Sequence, residues 1–385
     1  MSSDLLRAVE TDSRAETRAV LPCSTDLEWE EAGGIGVRVF DEGDSLFASM
    51  LADIDVARER VWLESYIFED DSVGGEIVER LLHCAARGVD VRVRVDAFGS
   101  KFGFSGGSAR RLGEGGVRFS WCHPWQWLRP WTFHRRNHRK LLVVDSDAAY
   151  LGGFNISEVN SRRVEGERRW RDTHLRLTGP IVAAAADAYV AFGKGNLRWR
   201  DDGQQALRLL TNHARGCRYR LRCVLRQHLA EARHRIWVTT PYFVPDSSIQ
   251  HDLAGAAQRG VDVRVLSPAK SDMTVVQWAS RAAYSRLLRA GVRLFEYQPR
   301  TLHAKTLLVD DDWSTIGTAN VDYRSFFINY ELNLVARSTR LNRALAISFE
   351  RDLLVSREIR RRPWSSRPLV DRVAELVGWS ARHWL

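Results

Sequence analysis

The sequence predicts an α/β protein made of two pseudo-symmetric domains, each a mixed, mostly parallel sheet flanked by helices, sharing one site. Three observations carry this. A strand, helix, strand order occurs twice, about 170 residues apart. Strands alternating with helices of this length imply βαβ units and parallel pairing. The same polar signature then closes each copy.

Taken in order, RERVWLESYIF from Arg58 stands beside RHRIWVTTPYFVP from Arg233. Each is a β-branched and aromatic run after a charged helix end, which is a strand signal. AARGVDVRVRVDAFGS from Ala85 matches AAQRGVDVRVLSPAKS from Ala256, with a helix ending at Gly88 or Gly260 before an alternating VDVRV strand. EGGVRFSW from Glu114 matches RAGVRLFEY from Arg289 in the same way. The division expected is a loosely packed lead over 1–35, domains over 36–200 and 201–362, and an amphipathic segment over 363–385.

Composition narrows the class. Of 385 residues, 44% are hydrophobic and 27% charged, the balance of an ordinary globular chain with a large core. IVAAAADAYVAF from Ile181 is too short for a membrane span and holds Asp187, so it reads as a buried helix. The first residues mix both charges without an apolar run, so no secretion signal is expected. Five cysteines without CxxC spacing argue against a disulfide framework and a zinc site, and point to reduced thiols. Lys plus Arg is 57 against 48 for Asp plus Glu, a net +9 that favours a polyanionic partner.

The copies extend into HRKLLVVDSDAAYLGGFN and HAKTLLVDDDWSTIGTAN. His138, Lys140, Asp145, Gly152 and Asn155 in the first have the same spacing as His303, Lys305, Asp310, Gly317 and Asn320 in the second. Residues two apart in extended chain share a face, so each His projects with its Lys, and the acidic turns return a second strand toward the Asn. Packing alone explains the repeated apolar residues and glycines. It gives no reason to repeat His, Lys and Asn. Two imidazoles, two ammonium groups and two amides suit phosphoryl chemistry: one imidazole attacks phosphorus, the other protonates the leaving oxygen, and lysines and amides (Asn155, Asn320) hold the phosphate oxygens. No nucleotide-binding loop and no metal-ligand spacing appears, so neither a nucleotide nor a metal or other cofactor is expected. An attacking imidazole needs an acceptor on its other nitrogen, and Asp172 and Glu331 lie at comparable places downstream. For each alone, a surface ion pair is an equal alternative.

The paired HxKxxxxD segments with GGFN and GTAN resemble the phospholipase D superfamily, whose two halves each give one motif to a shared site. More narrowly, WLESYIF, RRNHRKLLVVD, WRDTHLRLTGP, TTPYFVPD, IGTANVDYRSF and NYELNL resemble the bacterial cardiolipin synthases, over roughly Val37 to Leu354. The resemblance implies phosphatidyl transfer from phosphatidylglycerol to a second phospholipid through a phosphohistidine, with His138 as nucleophile, His303 as acid and base, and Asp145 and Asp310 bracing their motifs. It also implies an anionic phospholipid membrane as partner, with no nucleic acid or nucleotide, and a peripheral position on the cytoplasmic face of the bacterial inner membrane. A phospholipase D using water as acceptor shares every one of these residues; a superfamily nuclease fits less well. The larger synthases begin with two membrane-spanning helices, and the resemblance is to the shorter type, for which none is expected. Thr318 stands where the superfamily commonly has Ser.

The halves differ before the first motif, where WCHPWQWLRPWTFHRRN holds Trp121, Trp125, Trp127 and Trp131, and no Asp or Glu occurs from Gly115 through Val144. Aromatics interleaved with Arg suit an anionic membrane surface; packing on the domain is the alternative. At the C-terminus, Leu369, Val373, Leu376 and Val377 share a helical face, for a membrane interface or for the protein's own core.

Overall fold

Each half folds into an eight-stranded mixed sheet in a computed structural model that describes residues 27–124, 134–195, 205–212, 215–271 and 273–365, with 368, 375, 376 and 378–380. The first half contains β1 (Leu27–Glu31), β2 (Ile35–Phe40), α1 (Gly43–Val56), β3 (Arg60–Ser65), α2 (Ser72–Ala86), β4 (Asp90–Asp96), α3 (Gly106–Glu114) and β5 (Arg118–Cys122). It continues through β6 (Leu141–Val144), β7 (Ala148–Gly152), α4 (Arg162–Glu165), β8 (His174–Leu177) and α5 (Ile181–Gly193). The second half contains β9 (Leu207–Thr211), α6 (Arg215–Glu231), β10 (Arg235–Thr239), α7 (Ser247–Gln258), β11 (Asp262–Pro268), α8 (Thr274–Ala290) and β12 (Arg293–Tyr297). It closes with β13 (Thr306–Val309), β14 (Trp313–Gly317), α9 (Tyr323–Phe327), β15 (Leu332–Arg337), α10 (Thr339–Leu354), β16 (Ser356–Ile359) and α11 (Arg361–Ser365).

The sheets run β1-β2-β8-β7-β6-β3-β4-β5 and β9-β15-β14-β13-β10-β11-β12-β16, so the two halves superpose strand for strand except at their outer edges. Only β3-β4-β5 and β10-β11-β12 pair in parallel. This corrects the expected parallel majority. The helical crossovers fall only between those strands, while β6-β7 and β13-β14 are joined by tight turns, and a tight turn forces antiparallel pairing.

The lead also differs from expectation. Leu27–Glu31 pairs antiparallel with β2 (Ile35–Phe40) through the turn at Gly33 and Gly34, both at positive φ, and Ile35 is fully buried. The alternation in LEWEE and IGVRVF makes this hairpin, and it carries the first sheet back to Leu27.

Helices α5 and α10 lie between the sheets. Val182, Ala185 and Tyr189 of α5 share one apolar cluster with Leu141 and Leu151 of the first sheet, Leu209 and Leu334 of the second, and Leu345 of α10. The run from Ile181 is thus the buried helix its composition suggests, and it joins the halves. Each sheet's other face carries its own core under α1, α2 and α3 or α6, α7 and α8.

Cys84 and Cys122 are buried and Cys223 exposed, all three as free thiols. No helix among the described residues is long and apolar enough to cross a membrane. Trp121 is half-buried and packs on Phe119 and Phe104, with ring centroids 5.0 and 6.0 Å away. It packs against the first domain's core and keeps part of its surface exposed; Trp125, Trp127 and Trp131 lie outside the described residues. Of the C-terminal stripe only Leu376 is described, and it is exposed, whereas Trp379 packs on Val276 and Ala279 of α8. Leu369, Val373 and Val377 lie outside the described side chains.

Candidate active site

Both motifs lead into the central antiparallel strands. His138 and Lys140 occupy the extended stretch before β6, and His303 and Lys305 the stretch before β13. A short crossing of backbones fixes them. Asn137 bridges to Tyr330 and Arg171 to Leu302, and the His138 N–H donates to Tyr330 O at 2.9 Å while the His303 N–H donates to Arg171 O at 2.7 Å. Each histidine is thereby stitched to the opposite half.

The side chains follow the same crossing. His138 Nδ1 lies 2.9 Å from Glu331 Oε2, and His303 Nδ1 lies 2.5 Å from Asp172 Oδ2. Both carboxylates were expected as partners for the histidines; the structure shows that each serves the histidine of the other half. They are equivalent in the repeat, because Gly152 pairs with His174 and Gly317 with Asn333 across the strands, two residues after Asp172 and Glu331. Their unequal spacing from the motif histidines comes from the longer segment, including α4, between β7 and β8. An ionised carboxylate only accepts, so Nδ1 carries the proton and Nε2 presents its lone pair.

Sequence reasoning missed how those carboxylates are held. The Thr318 hydroxyl donates to Glu331 Oε2 at 2.5 Å while accepting from the Leu332 N–H at 3.0 Å. Thr318 therefore retains the hydroxyl that the commoner Ser would supply. At the equivalent position the first half has Gly153, where an added Cβ would collide with the Asp172 carboxylate. One half thus fits a shorter acid over a glycine, the other a longer acid tethered by a hydroxyl.

Asp145 accepts the N–H groups of Arg58, Glu59 and Arg60, each at 2.8 Å, and Asp310 accepts those of Arg233, His234 and Arg235 at 3.1, 2.7 and 3.2 Å. Both adopt φ of +49°, a left-handed turn that Asp tolerates. They clamp the motif hairpin to the start of β3 or β10 and do not line the cavity. The three N–H donors hold each carboxyl below the usual range against the effect of burial. Because its folded pKa is depressed, this clamp stabilises the fold fully above pH 3.8 and is lost as pH falls below that. Asp145→Ala is expected to lower unfolding free energy by about 1–3 kcal/mol in urea titrations, since it removes three hydrogen bonds to a charged acceptor that hold the motif hairpin to β3. Its activity per folded molecule should fall far less than that of a histidine variant.

A cavity of about 580 Å³ opens at the carboxyl ends of the parallel strands, where an α/β sheet presents its ligands. His138, His303, Asn155 and Asn320 line it, with Tyr66, Trp170, Arg136 and Arg324 around them. Tyr66 meets the His138 ring edge-on at 4.9 Å, and Trp170 lies 5.2 Å from the His303 ring. Tyr66 and Tyr242 both line the cavity, and their place just beyond β3 and β10 was the available sequence signal. Asn155 Oδ1 accepts the Ile67 N–H at 3.1 Å, which ties down the oxygen end of the amide and leaves its N–H donors for the cavity. Asn320 is fixed by its backbone N–H, which donates to Ser325 Oγ at 3.0 Å. The lysines do not line the cavity. Lys140 Nζ donates to His138 O at 3.0 Å, and Lys305 Nζ bonds the His303 carbonyl and lies 2.8 Å from His303 Nδ1.

The electrostatics of the two halves differ. Burial, then the charges of Lys140, Lys305, His303 and Arg324, push His138 well below an ordinary imidazole, so it is neutral at neutral pH. Burial and Lys305 also lower His303, but there the Asp172 carboxylate works the other way and favours the protonated ring. Asp172 stays low despite burial because Lys305 and His303 hold it ionised, whereas burial pushes Glu331 up to about 7. Burial and the neighbouring Lys305 bring Lys140 down to about 7.

Comparison with known proteins agrees with this geometry. A family model described as "Cardiolipin synthase, PLD-like domain" matches residues 50–168 and 225–353. Cardiolipin synthase A of Pseudomonas entomophila is 33% identical, over 97% of this chain and 80% of its own length. The major cardiolipin synthase of Bacillus subtilis is 31% identical, over 89% of this chain and 73% of its own. Among solved structures, a phosphatidylserine synthase of Haemophilus influenzae superposes with a TM-score of 0.68 at 13% identity, covering 91% of this chain and 95% of that one, which shows a shared fold.

Proposed function

The chain belongs to the family of cardiolipin synthases with phospholipase D-like domains, and from that premise we propose that it makes cardiolipin by transferring a phosphatidyl group between two phosphatidylglycerol molecules. The observation that carries the proposal is the crossed pair of His–carboxylate contacts facing one cavity. In this reading, His138 Nε2 attacks phosphorus, the bond to the glycerol headgroup breaks, and His303 gives its proton to the departing glycerol oxygen. The terminal hydroxyl of a second phosphatidylglycerol then returns a proton to His303 and attacks phosphorus, breaking the P–N bond. Cardiolipin and glycerol are the products, with no net change in proton count. The neutral His138 and the Asp172-supported His303 favour this division of roles, since environments that separate two proton affinities separate nucleophile from acid. Asn155 and Asn320 donate to the non-bridging oxygens, and Lys140 and Lys305 add positive charge close behind them.

The substrate resides in an anionic bilayer, so the protein works at a membrane surface. Work on the cytoplasmic face of the bacterial inner membrane accords with the free thiols Cys84, Cys122 and Cys223, which suit a reducing compartment. Incubation with phosphatidylglycerol vesicles and mass spectrometry of the products tests the reading. Cardiolipin with glycerol is expected. Phosphatidic acid in place of cardiolipin would make water the acceptor and overturn it.

A pH profile follows from the same groups. Glu331, raised to about 7, is protonated below that pH and then cannot accept from His138; Lys140, lowered to about 7, loses its charge above it. The profile of kcat/KM is expected to be a narrow bell near neutrality, with limbs belonging to the coupled group. Lys140→Arg keeps a full charge and should move the alkaline limb upward. An unmoved limb would assign it to another residue.

A further inference from the structure

Four of the exposed large apolar side chains among the described residues stand at the cavity mouth on two segments, the loop after β4 and the loop after β11 with the first turn of α8 that follows it. Phe98 and Phe102, 47% and 93% exposed, follow β4; Met273 and Val275, 47% and 36% exposed, follow β11. Since β4 and β11 are equivalent strands of the repeat, the loops are equivalent too, and Phe98, Phe102 and Met273 all line the cavity. The core explains none of these exposures. Phe102 is almost wholly in water, with nothing among the described residues to cover it, and apolar groups concentrated around a binding site's mouth mark a surface that meets another phase.

We propose that these two segments are the rim through which the enzyme sits on an anionic phospholipid bilayer, with Phe98, Phe102, Met273 and Val275 inserted among the headgroups and the cavity opening onto the lipid. The inference rests on the lipid-transfer reading and names the contact surface that reading requires. A phospholipid's acyl chains stay in the bilayer, so its phosphate reaches His138 and His303 only if the mouth lies against the surface. The mouth is graded to match. Its tips are apolar, the amphipathic Trp170 and Tyr242 are half-buried deeper in the same cavity, and the histidines and asparagines form its polar part. The first loop is complementary to anionic lipid: Lys101, exposed, holds its Nζ 5.2 Å from the Phe102 ring, and from Ala97 through Gly113 there is no Asp or Glu. The second segment is neutral in sequence, with the exposed Lys270 followed by Asp272, and contributes its apolar side chains. Lysines beside inserted aromatics pair with phosphate while their stems lie against the apolar zone.

The test is co-sedimentation of the full chain with vesicles of phosphatidylglycerol and phosphatidylcholine, all variants carrying His138→Ala so that lipid composition stays constant. Phe102→Ser with Met273→Ser is expected to lower the vesicle partition coefficient by about tenfold or more. Val56→Ser with Leu354→Ser, which removes as many exposed apolar side chains from α1 and α10, should bind like the parent. All four sites are exposed, so circular dichroism and thermal melting should report intact folds for both. Equal partition of the two double variants overturns the proposal, as does a parent that fails to bind. Loss of self-association without loss of vesicle binding would make the rim an interface between copies and would also overturn it. Failure of transfer by the wild-type chain with rim-dependent binding intact would instead count against the catalytic reading alone.

Discussion

His138→Ala is expected to abolish phosphatidyl transfer, with kcat on phosphatidylglycerol vesicles falling by about 10³-fold or more, because it removes the nitrogen that forms the P–N bond while His303 is engaged as proton donor. The fold should survive. The imidazole faces the cavity, and the loss strands only the Glu331 carboxyl, at a cost of about 1–3 kcal/mol, which Thr318 offsets by still donating to it. His303→Ala is expected to be as damaging with the natural lipid, for a different reason: glycerol is a poor leaving group without a proton. A phosphatidyl ester of p-nitrophenol separates the roles, since nitrophenolate leaves unprotonated. With it, His303→Ala should release about one equivalent of nitrophenol per site and then stop, holding the phosphatidyl group on His138, while His138→Ala should release none. The opposite pattern would exchange the roles. Turnover like wild type in either variant would sink the shared-site mechanism.

Much of this was legible in the chain because the repeat supplied an internal control. Packing could preserve LLVV and TLLV on diverged backgrounds, but it could not preserve His, Lys and Asn at one spacing, and the structure brings His138, His303, Asn155 and Asn320 to one cavity. What the sequence hid was what depends on three dimensions. That Asp172 serves His303 and Glu331 serves His138 is a property of the backbone crossing at Asn137 and Arg171, which leaves no periodicity to read. The hairpin at Leu27–Phe40 was missed because its outer strand carries three glutamates, and the pairing that recruits them lies across β2. The tryptophans drew attention to a basic insert, whereas Phe102 and Met273 were unremarkable in the sequence and become notable only when their exposure is measured.

The crossed contacts make the second large prediction. Asp172→Asn and Glu331→Gln are each expected to lower kcat on phosphatidylglycerol by about 10²- to 10⁴-fold with modest change in KM, because an amide can offer N–H to Nδ1 and hold the ring in the wrong tautomer. Both side chains are deeply buried and similar in size to their replacements, so folding should be retained. The nitrophenyl ester again distinguishes the steps. Glu331→Gln damages the nucleophile His138 and should suppress the nitrophenol burst; Asp172→Asn damages the proton donor His303 and should leave it. Were each acid serving the histidine of its own half, the two variants would behave the other way round. Thr318 extends the test along the same chain of contacts. Thr318→Val removes the hydroxyl that positions Glu331 and should cost about tenfold in kcat, while Thr318→Ser should restore it; loss in both variants would trace the effect to packing at β14 and not to the hydrogen bond.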